Sequence, residues 1–108
     1  MAHLKVFDEI LTSHDSIVDV LYITLAEMDE FPYAENVDDM VFIIRTVDSD
    51  LLLGFEILDA KRHGPETVWE VLLPVIENEK RRLRGQLPEL HAKLEELARM
   101  HLQELVPA

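Results

Sequence analysis

The sequence contains no cysteine, and this absence excludes a disulfide framework, a thiolate metal site and thiol catalysis. It has only three glycines in 108 residues, a scarcity that favours helices over a turn-rich fold. No run of about 20 apolar residues is present, so we expect no membrane span. The N-terminal residues lack the continuous apolar stretch of a signal peptide, so we expect none. We therefore predict a single cytoplasmic domain over residues 1–108.

Positive charge is scarce in the first half of the chain. Residues 1–60 carry only Lys5 and Arg45 against fourteen acidic residues, and this half accounts for the whole net charge of −12. An acidic surface of this kind repels a phosphate backbone, so we expect no nucleic-acid partner. The acidity either keeps the protein in solution or attracts a basic protein partner.

The spacing of apolar residues predicts an all-α fold, an antiparallel bundle of three or four helices. Through the first thirty residues, apolar side chains recur at alternating steps of three and four, as along one face of a helix. Asn36 is a favourable N-cap for a second, strongly apolar helix, and Pro65 and Pro88 suit the first turns of two more. The predicted bounds are about 3–30 for helix 1, 37–62 for helix 2, 65–84 for helix 3 and 88–105 for helix 4.

Residues 41–58 also carry a competing pattern, that of a β-hairpin. The string from Val41 to Val47 has high strand propensity, and residues 51–58 could pair with it around Asp48-Ser49-Asp50. We prefer the helix because strict alternation of apolar and polar residues is missing and there is no Asn-Gly turn. The choice between helix and hairpin stays open at this point.

The boundary between helices 3 and 4 has an alternative as well. Leucines from Leu83 to Leu97, with His101 after them, keep one repeat phase across Gly85 and Pro88, as one kinked helix would. Glycine followed by proline is strong punctuation, so we favour a turn between two helices.

His14 occupies one of the apolar positions of predicted helix 1 and is followed by Asp15. A histidine on such a face is usually packed and hydrogen-bonded to a backbone, carboxylate or water partner. The string Thr12-Ser13-His14-Asp15 is also faintly similar to the phosphoacceptor sequence of dimerising histidine kinases and histidine phosphotransfer bundles. That resemblance covers only His14 and Asp15, and it implies that His14 would accept a phosphoryl group.

The other histidines offer weak candidates for a metal site, namely His63, His91 with Glu95, and His101. The residues three positions before these histidines are not glutamates, so the Glu-x-x-His motif of di-iron bundles is missing. The His-Glu-x-x-His motif and glycine-rich phosphate loops are missing too. We therefore expect no cofactor, and a histidine and carboxylate metal site is only an alternative hypothesis.

A basic cluster precedes Gly85 and consists of Lys80, Arg81, Arg82 and Arg84. Cations at the end of a helix interact favourably with its unpaired carbonyl groups, which is the structural interpretation. The functional interpretation is contact with an acidic partner, including the acidic half of a second copy.

These observations together predict a small acidic interaction or regulatory module that acts through protein-protein contacts as a homodimer. An enzyme is the less favoured class, represented by phosphotransfer on His14.

Overall fold

Residues 5–58 form one antiparallel β-sheet in the computed structural model, which describes residues 4–83 and 85–100. The strands are β1 (Lys5–Asp15), β2 (Val20–Glu27), β3 (Pro32–Asp38), β4 (Val41–Thr46) and β5 (Leu52–Leu58). Their order across the sheet is β1-β2-β5-β4-β3, and every neighbouring pair is antiparallel. The connection from β2 to β3 therefore passes the ends of β5 and β4 and leaves β1 and β3 as edge strands.

Helices follow the strands and cover one face of the sheet. They are α1 (Ala60–His63), α2 (Pro65–Arg82) and α3 (Pro88–Ala98). Apolar residues of α2 and α3 are buried in one cluster with inward-facing residues of β2, β4 and β5. The cluster members from the two long helices are Val68, Leu72, Ile76, Leu90, Leu94 and Leu97. The predicted all-α bundle is therefore wrong, because the described fold is mainly a β-sheet with a single helical layer.

Predicted helix 1, about residues 3–30, is replaced by β1 and β2. Leu21 and Leu25 are four apart and so fit a helix, but Ile23 between them is equally buried, which is the two-residue period of a strand. The chain reverses between the strands at Asp19, whose φ of 52° lies in the left-handed region. A spacing of four residues fits both the 3.6-residue period of a helix and the two-residue period of a strand. The strand forms because it buries Leu21, Ile23 and Leu25 together against the helices.

Predicted helix 2, about residues 37–62, is also wrong, and the rejected hairpin is the observed structure. Asp50 takes the left-handed conformation, with φ of 53°, that an Asn-Gly turn would otherwise supply. The turn closes because Thr46 N–H donates to the Leu51 carbonyl at 3.0 Å and Thr46 Oγ1 accepts the Leu51 N–H at 2.9 Å. Strict alternation is missing because Phe42 and Ile44, on the face away from the helices, are apolar as well.

The two C-terminal helices begin at Pro65 and Pro88, where the sequence predicted them, with proline in the first turn. They are separate helices, so the alternative of one kinked helix is excluded. Gly85 (φ 72°) and Leu87 (φ 47°) both have left-handed backbone and reverse the chain between them. The end of predicted helix 4, including His101, lies outside the described residues, as does Arg84.

Candidate interaction surface

The two faces of the sheet differ in what covers them. On the face toward the helices, the rows Leu21-Ile57-Val41 and Ile23-Phe55-Ile43 run across β2, β5 and β4 and are almost fully buried. On the opposite face, two rows cross all five strands with no described helix over them. The first row is Ser13, Tyr22, Glu56, Phe42 and Asn36, and the second is Leu11, Thr24, Gly54, Ile44 and Ala34. We call these ten residues the open sheet face.

The open sheet face is partly apolar and keeps contact with solvent. Tyr22, Phe42 and Ile44 are only half-buried, and 49% of the Leu11 surface is exposed. An apolar sheet face normally packs against another layer, as the opposite face of this sheet does. This face is therefore a surface on which a partner would bury apolar groups.

A groove of about 240 Å³ crosses the open sheet face next to Gly54, where β5 carries no side chain. A Cβ atom on Gly54 would lie 2.2 Å from the carbonyl oxygen of Ile23 on β2, so the two backbones approach at a distance that only glycine allows. The register of β4 against β5 shifts beside it, between Ile44 and Arg45. Glycine is needed here for strand approach, and the groove is its consequence.

The groove carries negative charge on its walls. Glu27, Glu30 and Glu56 line it, and among its described lining residues none is basic. The carboxylate of Glu30 is held in place because it accepts hydrogen bonds from the N–H and Oγ of Ser49, at 3.0 and 2.6 Å. The groove thus combines apolar walls with carboxylates, a combination suited to apolar and cationic groups together.

A buried ion pair on the opposite face attaches α2 to the sheet. Arg45 on β4 and Glu79 on α2 are 3% and 2% exposed, and the guanidinium donates to both carboxylate oxygens at 2.8 and 2.9 Å. Arg45 Nε also donates to Glu35 on β3 at 2.8 Å. Burial by itself lowers the pKa of Arg45, but the hydrogen bonds to Glu79 and Glu35 outweigh it and raise that pKa.

The same network extends to the turn between β4 and β5. Asp50 accepts a hydrogen bond from Tyr33 Oη at 2.7 Å and forms an ion pair with Arg82 at 3.1 Å. The hydrogen bond to Asp50 raises the pKa of Tyr33, and the hydrogen bond from Tyr33 lowers the pKa of Asp50. These groups join the turn, the edge strand β3 and the end of α2.

His14 lies on strand β1, so the helical context of its resemblance to phosphoacceptor sequences is missing. Its side chain is 11% exposed, and its Nε2 lies 2.7 Å from Asp19 Oδ1. Asp15 does not contact it, because the Asp15 carboxylate accepts the N–H groups of Ile17 and Val18 in the turn. The sequence thus paired His14 with the wrong aspartate.

Asp19 holds the turn between β1 and β2 against α1. Its carboxylate accepts the N–H groups of Lys61 and Arg62 at 2.9 Å each, in addition to its contact with His14. The hydrogen bond from His14, followed by that from Lys61, lowers the pKa of Asp19 to about 2. A local sequence motif could not show this contact, because more than forty residues separate Asp19 from its backbone donors.

The other candidate metal ligands are not brought together. His63 is exposed at the end of α1, and His91 pairs with Glu95 one turn later in α3, Nδ1 to Oε1 at 3.3 Å. His101 lies outside the described residues. Within residues 4–83 and 85–100, no three histidine, aspartate or glutamate side chains are placed to hold a metal ion.

The predicted basic cluster is divided among different contacts. Lys80 lies 3.6 Å from Glu77 of the preceding turn, and Arg82 pairs with Asp50 and approaches Glu79 at 3.5 Å. Arg81 is exposed in the last turn of α2. Arg84 belongs to the part of the chain that the structure does not describe.

The residues of the open sheet face escaped sequence reasoning, although a signal for them is present. A strand with apolar residues at successive positions has two apolar faces, and Val41-Phe42-Ile43-Ile44 is such a run. An isolated glycine within a strand pattern marks a bulge or a close backbone approach, as at Gly54. Both signals depend on assigning the segment as strand first.

No protein-family model, curated protein sequence or solved structure matches this chain significantly. Within the described residues, no helix combines the length and the apolar character that crossing a membrane requires.

Proposed function

We propose that this chain is a small acidic protein-binding module that binds an apolar and basic partner segment on its open sheet face. The observation that supports the proposal is the half-exposed apolar face with its groove beside Gly54 and its three glutamates. The interaction role agrees with the function predicted from composition, and the binding surface is new. The predicted cytoplasmic setting is part of the same proposal, because it follows from the cysteine-free composition.

The partner segment that fits this surface best is an amphipathic helix. The sheet already has a helical layer on one face, and a second layer on the other face would complete a common three-layer arrangement. Five strands spaced about 4.8 Å apart span about 20 Å, which a helix of about 14 residues covers at 1.5 Å per residue. Apolar residues of the helix would pack on Phe42 and Ile44, and a lysine or arginine would meet Glu56.

A second copy of the chain is the competing occupant, since homodimerisation was predicted from the sequence. That prediction rested on the wide apolar surface of predicted helix 2 and on the repeat from Leu83 to His101. Of the repeat, Leu90, Leu94 and Leu97 are buried inside the chain. Two open sheet faces packed together would place the glutamates of both copies on one desolvated surface, which is unfavourable. Charge complementarity therefore favours a basic partner over a second copy.

Titration calorimetry with two synthetic peptides of about 18 residues tests the proposal. The first has leucines at steps of three and four, as on one face of a helix, and lysines at the other positions. The second has glutamate in place of every lysine. We expect the lysine peptide alone to bind. The Glu56→Lys variant should bind it at least about tenfold more weakly, a loss of about 1.4 kcal/mol. Phe42→Thr, which keeps a strand-forming residue, should weaken it similarly.

Glu95→Lys on α3 is the matched control, because it makes the same charge change on a partly exposed residue of the helical layer, far from the open sheet face in the fold. If Glu95→Lys weakens binding as much as Glu56→Lys, the attraction is non-specific and the proposal fails. Equal binding of the glutamate peptide would also contradict it. A dimer in sedimentation that Phe42→Thr dissociates would make a second copy the occupant and overturn the proposal. Circular dichroism of each variant verifies that the sheet is intact.

A further inference from the structure

The edge strand β3 is exposed along its whole length. All seven residues of Pro32–Asp38 are exposed, and within the described residues β3 pairs with β4 alone. An edge of this kind presents unpaired backbone N–H and C=O groups, which form a template for another strand. β3 is thus a second place where the sheet can accept a partner.

The pairing with β4 shows which groups of β3 point outward. Val47 N–H donates to the Phe31 carbonyl at 2.9 Å, so Phe31 faces β4, and hydrogen-bonded positions alternate along an antiparallel pair. The backbone groups of Tyr33 and Glu35 then also face β4, whereas those of Ala34 and Asn36 point away from it. Proline has no N–H, so the outward donors of β3 before its irregularity at Asn36 are those of Ala34 and Asn36.

A groove of about 340 Å³ runs beside this edge, between β3 and α2. Its apolar wall is formed by Val37 of β3, Ile43 of β4, and Val71 and Val75 of α2. Val71 and Val75 are only half-buried, so the helix leaves part of this wall open to solvent. Side chains of a strand added to β3, on its helix-facing side, would enter this groove.

The charge at this groove selects the occupant. Asp38 and Glu70 line it, and none of its described lining residues is basic. Glu35, on the helix-facing side of β3, already neutralises Arg45. Pairing of two β3 edges from two copies would place Glu35 and Asp38 of both copies close together, which like charges oppose. A peptide strand with both apolar and cationic side chains on its groove-facing side has the complementary pattern.

We propose that β3 and the groove between β3 and α2 form a binding site for an extended peptide whose groove-facing residues, every second one along the strand, include both apolar and basic side chains. The peptide adds a sixth strand to the sheet at Ala34 and Asn36, places apolar side chains against Val71 and Val75, and directs a lysine or arginine toward Glu70 or Asp38. Main-chain hydrogen bonds supply affinity and the groove supplies side-chain selectivity in this mode of recognition. The site differs from the open sheet face because it uses the backbone of Ala34 and Asn36 at the sheet edge and the helix-facing groove, not the side chains of the opposite face.

Hydrogen exchange followed by NMR on the full chain tests the proposal, with an end-blocked peptide of about seven residues. Valine, lysine and valine occupy its alternate positions and threonine fills the others, so that the valines and the lysine share one face of the strand. At a free peptide concentration ten times its Kd, exchange of the Ala34 and Asn36 amides should slow about tenfold, because the bound state protects them. The same peptide N-methylated at every residue keeps its side chains but loses all backbone donors, and it should not bind. Binding by the N-methylated peptide, or binding of the first peptide without slower exchange at Ala34 and Asn36, would overturn the proposal.

A matched pair of charge reversals tests the groove. Glu70→Lys on the exposed surface of α2 should weaken binding of the valine and lysine peptide at least about fivefold, whereas Glu95→Lys on α3 should change it less than about twofold. Equal losses in the two variants would mean general attraction to an acidic protein, and the proposed site would be wrong. Glu56→Lys, which tests the open sheet face, should leave this peptide's exchange signature intact, so the two proposals can fail separately.

Discussion

Replacing Arg45 with Met should destabilise the protein strongly, because it leaves the carboxylate of Glu79 buried without its main partner. Glu79 is 2% exposed and, among the described residues, would keep only the side-chain contact with Arg82, at 3.5 Å, whose own side chain is 44% exposed. Removing one member of a buried ion pair costs about 3–5 kcal/mol, a large part of the 5–15 kcal/mol stability typical of a domain. We expect Arg45→Met to fall in that range.

The reverse replacement, Glu79→Met, should cost less. Arg45 would keep its hydrogen bond to Glu35 at 2.8 Å and its proximity to Asp50 at 3.9 Å. A lost hydrogen bond to a charged group costs about 1.5–3 kcal/mol, so about 2–3 kcal/mol is expected for Glu79→Met. The double variant removes both buried charges and should lie within about 2 kcal/mol of the wild type, since apolar replacement of a whole pair is often tolerated.

Urea denaturation of the four proteins measures these free energies of unfolding. With a slope of about 1–3 kcal/mol per molar urea, the midpoint of Arg45→Met should fall by about 1–5 M. The coupling energy from the double-mutant cycle should be at least about 3 kcal/mol. If Arg45→Met stays within about 1 kcal/mol of the wild type, or if the two replacements are additive, the pair is screened by solvent and this reasoning is refuted.

Two further predictions concern the turn at Asp19 and the strand contact at Gly54. The pKa of Asp19 is lowered from 3.8 to about 2, so its stabilisation is complete above pH 3.8 and is lost as pH falls to about 2. Circular dichroism at a series of acid pH values should therefore show that the wild type loses its advantage in free energy of unfolding over Asp19→Asn as pH falls through this interval. A constant difference between the two proteins would contradict the role of the carboxylate. Gly54→Ala should cost about 2–3 kcal/mol in urea denaturation, because its Cβ would lie 2.2 Å from the Ile23 carbonyl oxygen and β2 and β5 would have to separate. An unchanged midpoint for Gly54→Ala would show that the strands do not approach this closely.

The hairpin of β4 and β5 shows why the fold prediction failed where it did. Strict alternation was required of a strand, but Phe42 and Ile44 are apolar on the face opposite Val41 and Ile43. The same property makes the open sheet face a candidate binding surface. The feature that hid the strand from the sequence pattern is thus the feature on which the proposed function rests.

Several properties of this protein followed from the sequence by itself. The starts of α2 and α3 at Pro65 and Pro88 were predictable because proline fixes φ and lacks an N–H, a local constraint that needs no tertiary contact. The buried leucines of α3 followed from their spacing by three and four along the helix. The concentration of acidic residues in the first half of the chain was equally visible, since charge is a property of composition.

Only the tertiary structure decided the rest. The residues of β1 and β2 fit both a helix and a strand, and the strand is selected by pairing with β5 and burial against α2 and α3, contacts between residues far apart in the chain. The ion pair of Arg45 with Glu79 and the contact of Asp19 with Lys61 join positions that no local motif connects. The open sheet face and the edge of β3 exist only because the helices cover one face of the sheet and β4 pairs with one side of β3, an arrangement set by long-range packing.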